Sequence, residues 1–184
     1  ALTTRDARTA LANISRISVR GAPGARAAWP MHTVTVRGID HTGAAQLSFA
    51  FVMAVDNPAK YAGFVELTRG LGKISVPTGR YLVMAFDGTS DGTTLIAHRE
   101  FAVTGAGTQV IDARTATTPV TATITTPTSV QVGVTQDVRR VEVTGFASEV
   151  SFGALDLGRQ PLVRVTPSRA GESATRRLTN TTLA

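Results

Sequence analysis

The sequence predicts an all-β protein, built as one elongated or two consecutive antiparallel β-sandwiches. Short runs of alternating apolar residues recur at spacings of roughly 8–12 residues with Gly and Pro between them, as in sandwich domains. Threonine and valine, which favour strands, are abundant. After residue 30, apolar residues do not recur at a helical spacing, which argues against an alternating α/β fold.

Composition and charge narrow the class of protein further. Hydrophobic side chains make up 42% of the 184 residues and charged ones 17%, so the chain can bury a core. The net charge of +6 comes from scattered basic residues, without the basic, aromatic-interleaved run that a nucleic-acid groove needs. The absence of cysteine excludes disulfides and thiolate chemistry. No apolar run approaches the roughly 18 residues of a membrane span, so a membrane span is not expected. Because the basic residues are scattered, a nucleic-acid partner is not expected either.

The elements divide into four stretches. Residues 1–30 are predicted to form an N-terminal arm or linker, with a short helix compatible with the Ala-rich stretch 1–14. Residues 31–116 form a first sandwich, with strands predicted over 32–39, 46–55, 61–67, 73–76, 80–86, 95–103 and 109–111. The clearest of these strands places alternate residues on one face, namely Leu47, Phe49, Phe51, Met53 and Val55.

The second half of the chain continues the same pattern after Pro119. Residues 117–167 form a second β unit, with strands predicted over 120–124, 130–134, 138–143 and 162–165. Residues 168–184 carry charge and threonine with little apolar pattern. They form either a loose C-terminal tail or a strand that needs a partner.

The loop between the strands 80–86 and 95–103 carries two motifs. Gly88 to Gly92 matches the G-x-S-x-G pattern around Ser90, but a nucleophile elbow needs a helix after the serine, and a strand follows here. Asp87, Thr89 and Asp91 stand at alternate positions as in a calcium loop, although the closing glutamate is replaced by His98. These three residues are the candidate metal ligands, against the alternative of a solvated hairpin, and no other cofactor is expected.

The histidines lack a spacing that would indicate a site. His32, His41 and His98 lie far apart in sequence, without the patterns of zinc ligands. Asp40, His41 and Asp56 would form a cluster if their loops met at one end of the sandwich, but no pattern requires it.

Trp29 and Tyr61 are the candidate binding residues. If both rings are exposed they would form a platform on which a sugar can stack, and the alternative is that they pack in the core or at a strand edge.

Three segments carry a family resemblance. They read V-T-V-R-G-I-D-H-T-G from Val34, I-S-V-P-T-G-R-Y-L-V-M-A-F from Ile74, and V-I-D-A-R-T-A-T-T-P-V from Val110. Together they resemble the non-catalytic β-sandwich modules of large secreted actinobacterial subtilisin-like serine peptidases. The P-x-G-x-Y segment is also similar to carboxypeptidase-regulatory-like and transthyretin-like domains, in which Tyr81 would be a packed strand residue. The peptidase's own catalytic blocks are not in this sequence.

The resemblance implies a secreted, non-catalytic accessory or interaction module associated with an extracellular serine peptidase. Its partner would be a peptidase catalytic domain, in the same precursor or in a complex. The alternative is a carbohydrate- or cell-wall-binding module with a polysaccharide partner. An enzyme that uses Ser90 is the third class, and strand addition to another chain is a fourth. The chain itself is therefore expected not to be an enzyme.

Overall fold

The structure is a computed structural model that describes residues 18–20, 29–120, 132–143, 146–157 and 162–183. Most of these residues lie in strands, so the predicted all-β class is confirmed. The predicted helix within 1–14 lies outside the described residues. In the part of the chain that is described, no helix is long and apolar enough to cross a bilayer.

In the described residues, thirteen strands build three sheets, and one short 3₁₀ helix lies at Ala113–Thr115. The strands are β1 Ser18–Arg20, β2 Met31–Ile39, β3 Phe49–Ala54, β4 Ala62–Glu66, β5 Leu71–Pro77, β6 Gly79–Gly88, β7 Thr94–Val103, β8 Gly107–Asp112, β9 Thr118–Val120, β10 Val132–Val143, β11 Phe146–Leu157, β12 Val163–Val165 and β13 Thr175–Leu183.

The sheets differ in size and in strand direction. The six-stranded sheet has the order β4-β3-β6-β7-β12-β9, the three-stranded sheet β5-β2-β8 and the four-stranded sheet β1-β11-β10-β13. Most neighbours are antiparallel as predicted, but β2 with β8 and β7 with β12 are parallel pairs. The six-stranded and the three-stranded sheet are therefore mixed. Their parallel pairs are possible because the chain passes through another sheet between the two strands of each pair.

The six-stranded sheet is the middle of three layers. One of its faces packs on β2, β5 and β8 around Val36, Val52 and Val83, which we call the inner core. Its other face packs on β10 and β11 around Met84 and Phe152, which we call the outer core. The middle strands can do this because β3 (FAFVMA) and β6 are nearly continuous apolar runs, which is the pattern of strands buried on both sides.

This arrangement corrects the predicted single apolar face of residues 46–55. Leu47 belongs to the inner core, whereas Phe51 and Met53 belong to the outer core. The reason is that the strand begins only at Phe49, so Leu47 lies outside the alternation.

A tight turn between β4 and β5 carries the chain from the middle sheet to the three-stranded one. Arg69 and Gly70 both have positive φ, at 52° and 72°, and the Leu71 N–H donates to the Thr68 carbonyl at 3.1 Å. Two central residues of positive φ define a type I′ turn, which suits a two-residue hairpin. A side chain at Gly70 would also overlap the backbone of Ala45, so this position requires glycine.

The C-terminal stretch 168–184 contains a strand and is not a loose tail throughout. β13 pairs with β10 along Val132–Arg140, which supplies the partner that the sequence alternative required. Strands β9 and β12 join the middle sheet next to β7, so residues on both sides of position 117 share one sheet. The division into units at residue 117 stays a prediction.

Candidate functional site

A cavity of about 410 Å³ lies beside the middle of β7. Its walls come from β7 at His98–Glu100, from β8 and the 3₁₀ helix at 110–115, and from the segment 166–172. The cavity exists because β12 covers the edge of β7 only at Thr94–Ile96. Beyond that point the chain leaves the sheet and arches over the uncovered part of β7.

Two side-chain clamps hold the arch. The Thr166 hydroxyl accepts a hydrogen bond from the His98 backbone N–H at 3.2 Å where the chain leaves the sheet. Where it returns, Glu100 Oε1 accepts the N–H groups of Ser173 at 2.7 Å and Ala174 at 2.9 Å. Arg80 bonds the other oxygen of Glu100 at 3.1 Å. The arch is thus tied at both ends to the sheet that it covers.

A buried charged network lies behind the cavity, between the middle and outer layers. Nη2 of Arg139 on β10 lies 2.8 Å from Nδ1 of His98 on β7, and its Nη1 lies 3.3 Å from Glu172 in the arch. Nε2 of His98 lies 2.9 Å from the other oxygen of Glu172. Asp137 binds Arg176 through two hydrogen bonds of 3.0 and 3.1 Å. Two carboxylates thus face two guanidinium groups, and His98 connects them to the middle sheet.

The geometry sets the protonation of His98. Nη2 of Arg139 also lies 2.9 Å from Nε2, so its distances do not distinguish the two ring nitrogens. An ionised Glu172 can only accept, which assigns the proton to Nε2 facing Glu172 and leaves Nδ1 to accept from Arg139. Burial, and then the adjacent Arg139, lower the pKa of His98 below its ordinary value of 6.5. Burial raises the pKa of Glu172, but the hydrogen bond with His98 and its other polar contacts outweigh this effect and hold it below 4.5. The network is therefore built for a neutral histidine.

Folding stability should consequently fall as the pH falls below 6.5. The unfolded chain takes up the His98 proton near pH 6.5 while the folded chain resists it, so the loss is up to about 1.4 kcal/mol per pH unit until the folded pKa is reached. Urea unfolding of the wild type, His98→Gln and His32→Gln at pH 7.5 and 5.5 would measure it. The histidine-dependent loss should vanish in His98→Gln and persist in His32→Gln. An equal loss in all three proteins would contradict this account.

A second polar cluster joins two loops at one end of the sandwich. Asp87 Oδ2 accepts from the His41 backbone N–H at 2.7 Å and lies 2.8 Å from His41 Nδ1. Asp40 instead caps its own loop, accepting from Thr42 and from the Ala44 N–H. Asp56 lies elsewhere and pairs with Lys60 at 2.8 Å. The hypothesised cluster of Asp40, His41 and Asp56 therefore does not form, and His41 pairs with Asp87 instead.

The three candidate calcium ligands hold the hairpin loop together. Asp87 is bound to His41, and Asp91 accepts from the Thr89 hydroxyl and, at 3.0 Å, from the Thr93 N–H. The hydrogen bond from Thr89 is the main cause of the lowered pKa of Asp91, at about 2. Among the described residues no group of three or more His, Cys, Asp or Glu is placed to hold a metal ion. A calcium site at Asp87, Thr89 and Asp91 stays a prediction.

Ser90 and His98 are not brought together. Ser90 is exposed at the tip of the β6–β7 hairpin. His98 lies four residues beyond Thr94, the first residue of β7, and is paired with Met84 on β6. At about 3.4 Å per residue this is roughly 14 Å along the strand from its start. The ring of His98 is also engaged by Arg139 and Glu172.

Trp29 and Tyr61 are both half-buried. The Lys60 ammonium lies 5.9 Å from the centre of the Trp29 ring, and Tyr61 packs against the inner core. Burial raises the pKa of the Tyr61 hydroxyl. Each ring thus has a contact within the protein, and sugar stacking on this pair stays a prediction.

Two of the segments behind the family resemblance have structural roles. Tyr81 is fully buried and donates to the Pro77 carbonyl at 2.7 Å, which confirms it as a packed strand residue. Asp112 caps the 3₁₀ helix and binds Arg114 through bonds of 2.7 and 3.0 Å. These motif residues build the scaffold, and Asp112 also lines the cavity.

Comparison with known proteins yields one distant structural likeness. No model of a protein family matches the chain, and neither does any curated protein. Among solved structures, the chain is similar to the crystal structure of a DUF3823 family protein from Parabacteroides merdae. The TM-score is 0.38 at 7% identity, over 83% of this chain and 81% of that one.

Proposed function

We propose that this chain is a non-catalytic binding module that works outside the cell in association with a subtilisin-like serine peptidase. The observation that carries the proposal is the cavity beside β7, whose walls are held in place by structural hydrogen bonds. A preformed concave site with a few convergent polar groups is the usual form of a small-ligand site.

Two of the histidines, the residue type best suited to acid–base catalysis, are engaged in support of the fold. His98 stabilises the contact between two layers, and His41 ties two loops together. The association with a peptidase is supported by the resemblance of the three segments between Val34 and Val120. In this view the module contributes recognition, and the peptidase contributes the chemistry.

A carbohydrate-binding module is the second candidate. The charged and hydroxyl-bearing lining of the cavity favours it, since sugars are recognised through many hydrogen bonds. The cavity would then serve in place of the Trp29 and Tyr61 platform.

One labelling experiment separates these functions. Culture medium of the producing organism is treated with a biotinylated fluorophosphonate, which labels active serine hydrolases, and this chain is then immunoprecipitated. We expect a labelled serine peptidase in the precipitate, either in the same polypeptide or bound to it, with the label on a serine other than Ser90. Label on Ser90 would make the chain an enzyme, and a precipitate free of label would refute the association with a peptidase.

A further inference from the structure

We infer that the cavity beside β7 binds a sugar acid, a small molecule with one carboxylate and several hydroxyl groups. This inference rests on the proposed function as a binding module and specifies its ligand. The charged residues around the cavity are the first observation behind it. Three of its lining residues are acidic and three are arginines.

Each of the three carboxylates already has a guanidinium partner. Glu100 pairs with Arg80 at 3.1 Å, Asp112 with Arg114 at 2.7 Å, and Glu172 with Arg139 at 3.3 Å, the last two partners coming from outside the lining. The acidic residues of the cavity are therefore neutralised before any ligand arrives.

Two lining arginines are left over. Arg99 on β7 and Arg169 in the arch are both exposed, and neither forms an ion pair or side-chain hydrogen bond with any residue that the structure describes. A guanidinium group binds a carboxylate through two parallel hydrogen bonds. These two residues therefore give the cavity a preference for an anion.

The rest of the lining suits hydroxyl groups. Each oxygen of Glu172 accepts one bond in the network, and a carboxylate offers about four acceptor sites. Thr115 donates to the Asp112 carbonyl at 2.7 Å and retains acceptor capacity. A bare anion such as phosphate would leave these acceptors unused, whereas a sugar acid donates hydroxyl hydrogens to them.

The size of the cavity also limits the ligand. A volume of about 410 Å³ lies near the lower end of the range of about 300–1,000 Å³ for small-molecule sites. Buried Ile111 and half-buried Val110 add an aliphatic wall against which one ring face can pack.

Isothermal titration calorimetry on the intact chain at low salt tests the inference. The probes are glucuronate and galacturonate, with glucose, acetate and phosphate as comparisons. We expect the uronates to bind at least tenfold more tightly than any of the three comparisons. Phosphate or acetate binding as tightly as uronate would overturn the sugar acid, and so would the absence of uronate binding.

Two double variants of equal charge locate the site. Arg99→Gln with Arg169→Gln should weaken uronate binding at least tenfold, whereas Lys73→Gln with Arg177→Gln, two exposed cations outside the cavity, should leave it within about twofold. If uronate binding is weakened equally in both double variants, the effect is due to net charge, and the assignment of the site to Arg99 and Arg169 is overturned.

Two further measurements identify the source of the ligand and test whether the module is catalytic. A galacturonate oligomer that binds more tightly than the monomer would assign the ligand to an acidic polysaccharide, and equal affinity would assign it to free sugar acids. Mass spectrometry of the recovered uronate should show it unchanged. Chemical conversion of the uronate would refute the non-catalytic function but would still support the cavity as the uronate site. Failure of uronate to bind would refute the sugar-acid ligand, whereas the association with a peptidase is tested separately by the labelling experiment.

Discussion

Arg139→Met is expected to lower the free energy of unfolding by about 3–5 kcal/mol, the usual cost of removing one partner from a buried ion pair. Arg139 is fully buried and contacts Asp137, His98 and Glu172. Methionine preserves most of the packed volume, so the loss reports the charge. Among the described residues, Asp137 would then keep Arg176 as its one charged partner, and His98 Nδ1 would lose its donor.

Urea unfolding at pH 7.5 measures this loss, with Arg177→Met at an exposed position of β13 as the control, expected within about 0.5 kcal/mol of the wild type. Adding Asp137→Leu to Arg139→Met should lower the free energy of unfolding further, because Arg176, whose side chain is 12% exposed, would lose the carboxylate that binds it. If Arg139→Met is no less stable than Arg177→Met, the network does not stabilise the contact between the layers.

The strands of the first half were predictable because their signals are local. The predicted strand 95–103 corresponds to Thr94–Val103, and the predicted strand 73–76 lies within Leu71–Pro77. Alternating apolar residues and the turn at Pro77 to Gly79 needed no knowledge of distant neighbours. Element type and approximate bounds followed from these residues alone.

The third layer was not predictable from periodicity. In β3 the large residues Phe51 and Met53 suggested one apolar face, while Ala50 and Val52 on the other face are equally buried. A run that is apolar on both faces is compatible with several packings. The covering strands β10 and β11 come about 80 residues or more later in the chain.

β10 and β11 were difficult to predict from the sequence, because each has polar or small residues among its apolar ones. The prediction split β10 around Thr135 to Asp137, although the strand runs unbroken from Val132 to Val143. Asp137 and Arg139 are tolerated inside because Arg176 and Glu172 reach them from later in the chain. β11, with its Ser and Gly residues among the apolar ones, was not predicted at all.

The candidate site was equally hidden. The spacing of the histidines did not mark His98, and the cavity joins β7, β8 and an arch about 70 residues downstream of β7. No local motif marks Arg99 or Arg169. Arg99 and Arg169 can be recognised as candidate ligand-binding residues only in the structure, because there all the remaining acidic and arginine side chains of the lining form ion pairs.

The strongest test of the three-layer fold places a charge on each face of β6 in turn. Val83 points into the inner core and Met84 into the outer core, and both are buried. An unpaired carboxylate at either position costs several kcal/mol, comparable with the about 5–15 kcal/mol by which a domain is stable. Val83→Asp and Met84→Asp should therefore both fail to fold.

Circular dichroism and size-exclusion chromatography distinguish the outcomes, with Ser75→Asp on the exposed side of β5 as a control that should fold normally. Milder variants give the magnitude: Leu82→Ala in the outer core should lose about 2–5 kcal/mol in urea unfolding. A two-layer sandwich would leave one face of β6 in water and tolerate one of the two aspartates. Because the covering sheet also carries Arg139, a folded Met84→Asp protein would remove the support for the buried network as well, whereas loss of folding in both variants would confirm that the middle sheet has no solvent face at β6.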